Sequence, residues 1–404
     1  MLAGEIDILR KNQRPVSVRS LLVRCRQAAI RGTVASALAA SFGCARTTQP
    51  PVEEPSDDAT CPAAGPCLLI TGSYGPPPGN QRALVFDPLQ ERVLGRIGPV
   101  LGNQATSSLG ADSTTLSVAG DGGSGYIVAG VDVFSGSVVW TYRTGAAKGE
   151  YLVFPPTFTT QSADGEHVYQ YRATRQDTAG LVALAVQTGK VEAFFGPWDA
   201  YGRPVELLTA GHRYPVGTVL VNGSLIPGQP TSSLVLLSPE LVLVDSMTLP
   251  DLALNVVLSA DERFAYYVSP SALVKVDLVE RTVLRRVALA SRYFIAMHPD
   301  GSSVYVQNVA AAPSPGLLEF TTDLVLRRSI PLVQLPDDSL RPPPQVQDLA
   351  IEPGGQRAFV LTGDNNPYAY AYADVRVLDL AQGVLTSVIH LNEVGPRQIH
   401  AIWR

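Results

Sequence analysis

Two turn signals recur along the chain at intervals of about 40–55 residues, and that period limits what it can fold into. The first is a small-residue corner ahead of an apolar strand. It falls at Ala111-Asp112, Asp164 in SADG, Gly211 in TAGH, Asp261 in SADE, Asp300 in HPDG and Gly354 in EPGG. The second opens hairpins at Asp87, Phe134, Gln187, Ser238, Asp277, Thr321 and Asp379. Asp and Gly suit such corners because both tolerate left-handed backbone, and Asp also bonds nearby amides through its side chain. Between the turns lie apolar runs of four to eight residues, rich in Val, Leu, Tyr and Thr, which read as short strands. No stretch combines a 3.6-residue period with helix caps.

A sheet of about four strands cannot cover both of its own faces, so repeated copies must stack, and stacking around an axis covers all of them. Seven hairpins stand against six corners. The first unit starts directly at CLLITGS (Cys67–Ser73), with no strand ahead of it, and the chain finishes on GPRQIHAIWR, with no hairpin after it. If Gln398–Trp403 supplies the missing inner strand of the first unit, the count balances at seven. The expected fold is therefore all-β: a seven-bladed β-propeller of four-stranded antiparallel blades over residues 67–404, its ring closed by the C-terminal strand. Closure removes open sheet edges that would template aggregation.

The segment FIAMHPDGSSVYVQN (Phe294–Asn308) resembles the YVTN or YncE-like, WD40-like propeller repeat: a hydrophobic strand, a Pro-Asp-Gly corner, then a Val-Tyr-Val strand ending near Asn. NVVLSADERFAYYVS, DLAIEPGGQRAFVLTGDN and TTQSADGEHVYQYR match more loosely. The Trp-Asp ends and Gly-His starts of WD40 units are missing. The resemblance spans residues 67–404 and implies the fold. It leaves three activities open: lactonase, quinoprotein dehydrogenase or plain binding scaffold.

The N-terminus differs from the body. Residues 1–43 hold seven bases and two acids, a net of +5, which leaves −10 for residues 44–404 of a chain whose total is −5. The basic block is followed by GTVASALAASFGC, small and apolar, the pattern of an export signal. Gly43-Cys44 resembles a bacterial lipobox, which implies lipidation of Cys44, although Ser41 and Phe42 depart from the motif. An ordinary cleaved signal, or a basic leader with a chance cysteine, is the other reading. A leader over 1–43 and a linker over 44–66 follow, the linker rich in Pro, Thr and acids and too poor in large apolar residues to pack. The expected location is outside the cytoplasm, in a bacterial periplasm, outer membrane or cell surface. Of four cysteines, Cys25 falls in the leader and Cys44 at its end. Cys61 and Cys67 remain, either as a disulfide in an oxidising compartment or as two thiols.

The negative body argues against a nucleic-acid partner, which needs a basic face. No run of about 18 apolar residues occurs, so membrane contact is expected only through the anchor. The partner expected is a protein or small molecule, and the chain is expected to act as a monomer. No catalytic residue, metal ligand or cofactor is assigned. Two cysteines without a nearby His do not make a zinc site. Trp140 in GSVVWTYRTG resembles a quinoprotein docking repeat, but it occurs once and suits blade packing. His167, His212 and His298 lie at corners, whereas His400 lies on the proposed innermost strand and is the one histidine placed beside a channel. GDNNPYAYAYADV offers Asp364, Asn365, Asn366 and Tyr368 as a binding loop, and the Pro-rich insert Leu335–Gln347 is a second candidate. A non-catalytic scaffold at the cell envelope is the leading function. The alternative is a propeller enzyme of the lactonase or dehydrogenase type with a channel site near His400.

Overall fold

The computed structural model describes residues 58–72, 81–101, 106–110, 112–121, 126–144, 159–162, 165–173, 179–198, 206–210, 219–223, 233–251, 253–289, 291–308, 316–333, 345–363, 373–391 and 396–403. All of them belong to one compact unit, Pro55–Arg404, and none is helical.

The strands group into seven four-stranded antiparallel sheets. Sheet 1 holds β1 (Cys67–Gly72), β2 (Gln81–Asp87) and β3 (Arg92–Leu101). Sheet 2 is β4 (Thr106–Leu109), β5 (Thr115–Asp121), β6 (Tyr126–Asp132) and β7 (Val138–Thr144). Sheet 3 is β8 (Thr159–Gln161), β9 (His167–Ala173), β10 (Ala179–Ala185) and β11 (Val191–Trp198). Sheet 4 is β12 (Glu206–Ala210), β13 (Val219–Gly223), β14 (Ser233–Leu237) and β15 (Leu243–Thr248). Sheet 5 is β16 (Asn255–Leu258), β17 (Phe264–Val268), β18 (Ala272–Asp277) and β19 (Thr282–Ala288). Sheet 6 is β20 (Ser291–Met297), β21 (Ser303–Asn308), β22 (Gly316–Thr321) and β23 (Leu326–Pro331). Sheet 7 is β24 (Gln345–Ile351), β25 (Arg357–Gly363), β26 (Ala373–Asp379) and β27 (Val384–Leu391). The last strand, β28 (Pro396–Ile402), returns to sheet 1 and pairs antiparallel with β1, Leu69 opposite His400. The first strands of the sheets neighbour one another in the order β28, β4, β8, β12, β16, β20, β24 and back to β28, enclosing a common axis.

The third-to-fourth-strand hairpins share a left-handed closing residue, and six of them also have a side-chain cap at the opening residue. Asp87, Asp132, Asp277 and Asp379 each accept backbone N–H bonds from the turn that follows. Ser238 and Thr321 do the same through hydroxyls. A left-handed residue then closes each turn: Glu91, Gly136, Gly189, Leu241, Arg281, Leu324 and Gly383, all with φ between 52° and 73°. Each of these hairpins carries a register shift beside the turn, the bulge that goes with such a loop.

Burial follows position in the sheet. Middle strands are covered on both faces, so β18 is buried throughout and β26 nearly so. Outer strands such as β19 are mostly exposed. Side chains from consecutive sheets interlock between blades. Leu69, Val85 and Ile97 of sheet 1 meet Leu116, Val118 and Val131 of sheet 2. On its other side, sheet 1 presents Leu68, Ile70 and Ile399 to Phe359, Leu361 and Val375 of sheet 7. Each fully buried aliphatic or aromatic side chain contributes roughly 1.5–3 kcal/mol.

Candidate functional site at the central axis

The first strand of each sheet has one paired edge and one edge turned to the axis. Unpaired N–H groups on such an edge need acceptors. Among the described residues, three receive one from the first strand of a neighbouring sheet. Ile399 N–H on β28 donates to Asp348 Oδ2 of β24 at 2.9 Å. Ser107 N–H on β4 donates to Gln398 Oε1 of β28 at 2.5 Å. Gln161 N–H on β8 donates to Ser108 Oγ of β4 at 2.9 Å. These strands therefore carry a polar residue where a core strand would carry an apolar one.

His400 lies in this series. Its Nε2 is 2.7 Å from Ser107 Oγ, which also donates to Gln398 Oε1 at 3.3 Å and is hydrogen-bonded to Thr71 Oγ1 of β1. The imidazole is half-buried, and burial pushes its pKa down to about 4, so the ring is neutral at ordinary pH. Asp348 stands on the other side of β28. Burial pushes its pKa up to about 6, against the pull of the N–H bonds from Ile399 and Leu349. The cluster thus joins residues 52 and 293 positions from His400 in the sequence, Asp348 and Ser107.

A serine and a histidine at 2.7 Å have the spacing of a nucleophile and its base. Access argues the other way. Ser107 is only 1% exposed, and its hydroxyl faces Thr71, Gln398 and His400. A base with a pKa near 4 is also poorly matched to neutral pH. Among the described residues, no group of three His, Cys, Asp or Glu side chains is placed to hold a metal ion.

The other candidates fall elsewhere. Cys61 and Cys67 are disulfide-bonded, and Ala59 and Cys61 donate N–H bonds to Arg96 and Val133, so residues 58–66 lie across the seam of sheets 1 and 2. His167 Nε2 meets Glu192 Oε2 at 3.0 Å, and His298 Nδ1 meets Asp300 Oδ1 at 2.6 Å, both at corners. His390 pairs with Asp374 Oδ1 at 2.7 Å, while Asp374 Oδ2 meets the buried Arg376 at 3.1 Å. Trp140 packs between sheets 2 and 3. A methyl added at Gly130 would lie 2.2 Å from its Nε1, and one at Gly189 would lie 2.8 Å from its Cε3. Cys44, His212, Asp364, Asn365, Asn366 and Tyr368 lie outside the described residues. So does most of the Pro-rich insert. Sequence reading singled out His400 but missed Ser107, Gln398 and Asp348. Ser107 sits in TSSL, a strand with one apolar residue, and Gln398 and Asp348 sit in the mixed strands PRQIHAI and QVQDLAI, so no local pattern set them apart.

Solved structures share this architecture. The periplasmic gluconolactonase PpgL of Pseudomonas aeruginosa is 16% identical with a TM-score of 0.59, over 83% of this chain and 99% of its own. A putative 6-phosphogluconolactonase of Bacteroides fragilis is 15% identical with a TM-score of 0.58, over 85% of this chain and all of its own. The dihydro-heme d1 dehydrogenase NirN is 13% identical with a TM-score of 0.53, over 83% of this chain and 74% of its own. The fold is a β-propeller. A scan against protein-family models and a search of curated proteins each found no match. At these identities the propeller likeness carries fold and nothing further.

Proposed function

We propose that this chain is an exported, monomeric β-propeller that serves as a non-catalytic binding scaffold at a bacterial cell envelope, for a protein or small-molecule partner. In this reading residues 1–43 direct export, Cys44 is the lipid anchor, residues 44–66 form the spacer, and 67–404 close as a seven-bladed ring through β28. The cyclic order of first strands and the packing of sheet 1 on both sheet 2 and sheet 7 support closure. The observation that carries the non-catalytic reading is the burial of Ser107, whose hydroxyl is engaged by its neighbours. Binding is assigned to the long connections. The loop with Asp364, Asn365, Asn366 and Tyr368 joins β25 to β26, and the Pro-rich insert joins β23 to β24. In an antiparallel blade these connections leave from the end opposite the short corners and hairpins.

The second reading is an enzyme with its site at the axis, favoured by two groups of displaced pKa, Asp348 and His400, on adjoining first strands. The names of two matched structures make lactone hydrolysis the first activity to assay. Purified full-length protein is tested with aldonolactones and with a quinone-linked dye. The scaffold reading expects no turnover, and identical behaviour of His400→Ala. Turnover abolished by His400→Ala with the fold intact overturns it. Metabolic labelling with a radiolabelled fatty acid tests the anchor: Cys44→Ser is expected to abolish incorporation, and absence of label in the parent protein removes the lipoprotein reading.

A further inference from the structure

We propose that Asp348 is the positioning residue of the axial cluster: by capping the Ile399 N–H it holds β28 so that Gln398 and His400 meet Ser107. The geometry is continuous across three sheets. One oxygen of the Asp348 carboxylate takes the N–H of its neighbour Leu349 at 2.8 Å, which fixes the side chain. The other takes Ile399 N–H at 2.9 Å. Ile399 lies between Gln398 and His400, and its own side chain is buried against sheet 7. Gln398 and His400 alternate with it along the strand and reach the next sheet, at Ser107. Removing the carboxylate leaves the Ile399 amide without its acceptor. It also frees this edge of β28 to shift, and the shift is transmitted to the His400 imidazole. Asp348 touches neither Ser107 nor His400 in the hydrogen bonds seen, so its effect on them is indirect.

The test uses the full chain labelled with ¹⁵N. The His400 ring signal is followed by pH titration beside those of His167, His298 and His390, and amide exchange is measured at Leu349, Gln161 and Ile399. In Asp348→Ala the His400 midpoint is expected to rise by a unit or more toward the ordinary value of about 6.5. Ile399 exchange is expected to quicken about tenfold or more, the scale of one lost charge-assisted hydrogen bond. His167, His298, His390 and Gln161 are expected to stay in place. Ser108→Ala, which removes the equivalent cap at Gln161, is expected to quicken Gln161 and leave His400 alone. An unmoved His400 in Asp348→Ala overturns the proposal, as does a uniform change at every histidine and every amide. If Asp348→Ala does not fold, Asp348→Asn carries the test. Its one carbonyl oxygen serves one of two amides, so Leu349 or Ile399 must exchange faster, and no change at either overturns the proposal.

Discussion

Asp348 and His400 answer acid in opposite senses. The folded-state pKa of His400 is about 4, below the ordinary 6.5, so between those values the unfolded chain takes up a proton that the folded chain refuses. Stability from this group is full above pH 6.5 and is lost as pH falls. The folded-state pKa of Asp348 is about 6, above its ordinary 3.8, so here the folded chain holds the extra proton. Its contribution is full below pH 3.8 and is lost as pH rises through 6. Each effect is on the order of 3 kcal/mol across the window, and together they nearly cancel. Denaturant midpoints of the parent protein are therefore expected to change little through these two groups from pH 6.5 to 4. His400→Gln is expected to gain stability on acidification relative to the parent, and Asp348→Asn to lose it. Parallel pH profiles for the two variants would contradict the cancellation.

Hairpins are where sequence and structure agree in most detail. Asp87, Asp277 and Asp379 read as turn openers, and each caps its turn in the structure. What the residues did not show was the left-handed position that follows. Three hairpins place Gly there, but the others place Glu91, Leu241, Arg281 and Leu324. A left-handed non-glycine costs about 1–2 kcal/mol. Leu241 and Leu324 offset that cost by burial, since both are inserted into the interior. Arg281 has no such gain, because its side chain is largely exposed and its ion pair with Asp245 lies at the surface. Arg281→Gly is expected to be neutral or to stabilise by up to about 1 kcal/mol, and Gly383→Ala to destabilise by about 1 kcal/mol. Urea denaturation of both variants measures the contrast, and a loss in Arg281→Gly larger than that in Gly383→Ala would show that the ion pair outweighs the backbone. The His400 cluster was much less legible: the strand and the histidine could be placed, but Ser107 and Asp348 have no sequence proximity to them, and nothing in a lone Ser or Asp announces an edge cap.

At the scale of the molecule, sheet 1 is assembled from the first three strands and the last one, β1–β3 and β28. The disulfide and the bonds from Ala59 and Cys61 fasten residues 58–66 beside it. Closing so short a loop restricts the unfolded chain by about 2 kcal/mol in the loop-entropy view. Cys61→Ser with Cys67→Ser is expected to lower stability by about that amount and to expose the 58–66 segment to proteolysis. A doubly substituted protein with unchanged midpoint and unchanged cleavage would show that the backbone bonds suffice.

Local chemistry is what the amino-acid order settled by itself. Alternation of turn formers with short apolar runs decides strands, corners and hairpins within each unit, because these depend on neighbours a few residues away. The pairing of Leu69 with His400, the contact of Ser107 with Gln398 and the displaced pKa values at the axis were decided only by the tertiary structure. They arise where distant strands are brought edge to edge and water is thinned between them, and neither condition exists in an extended chain.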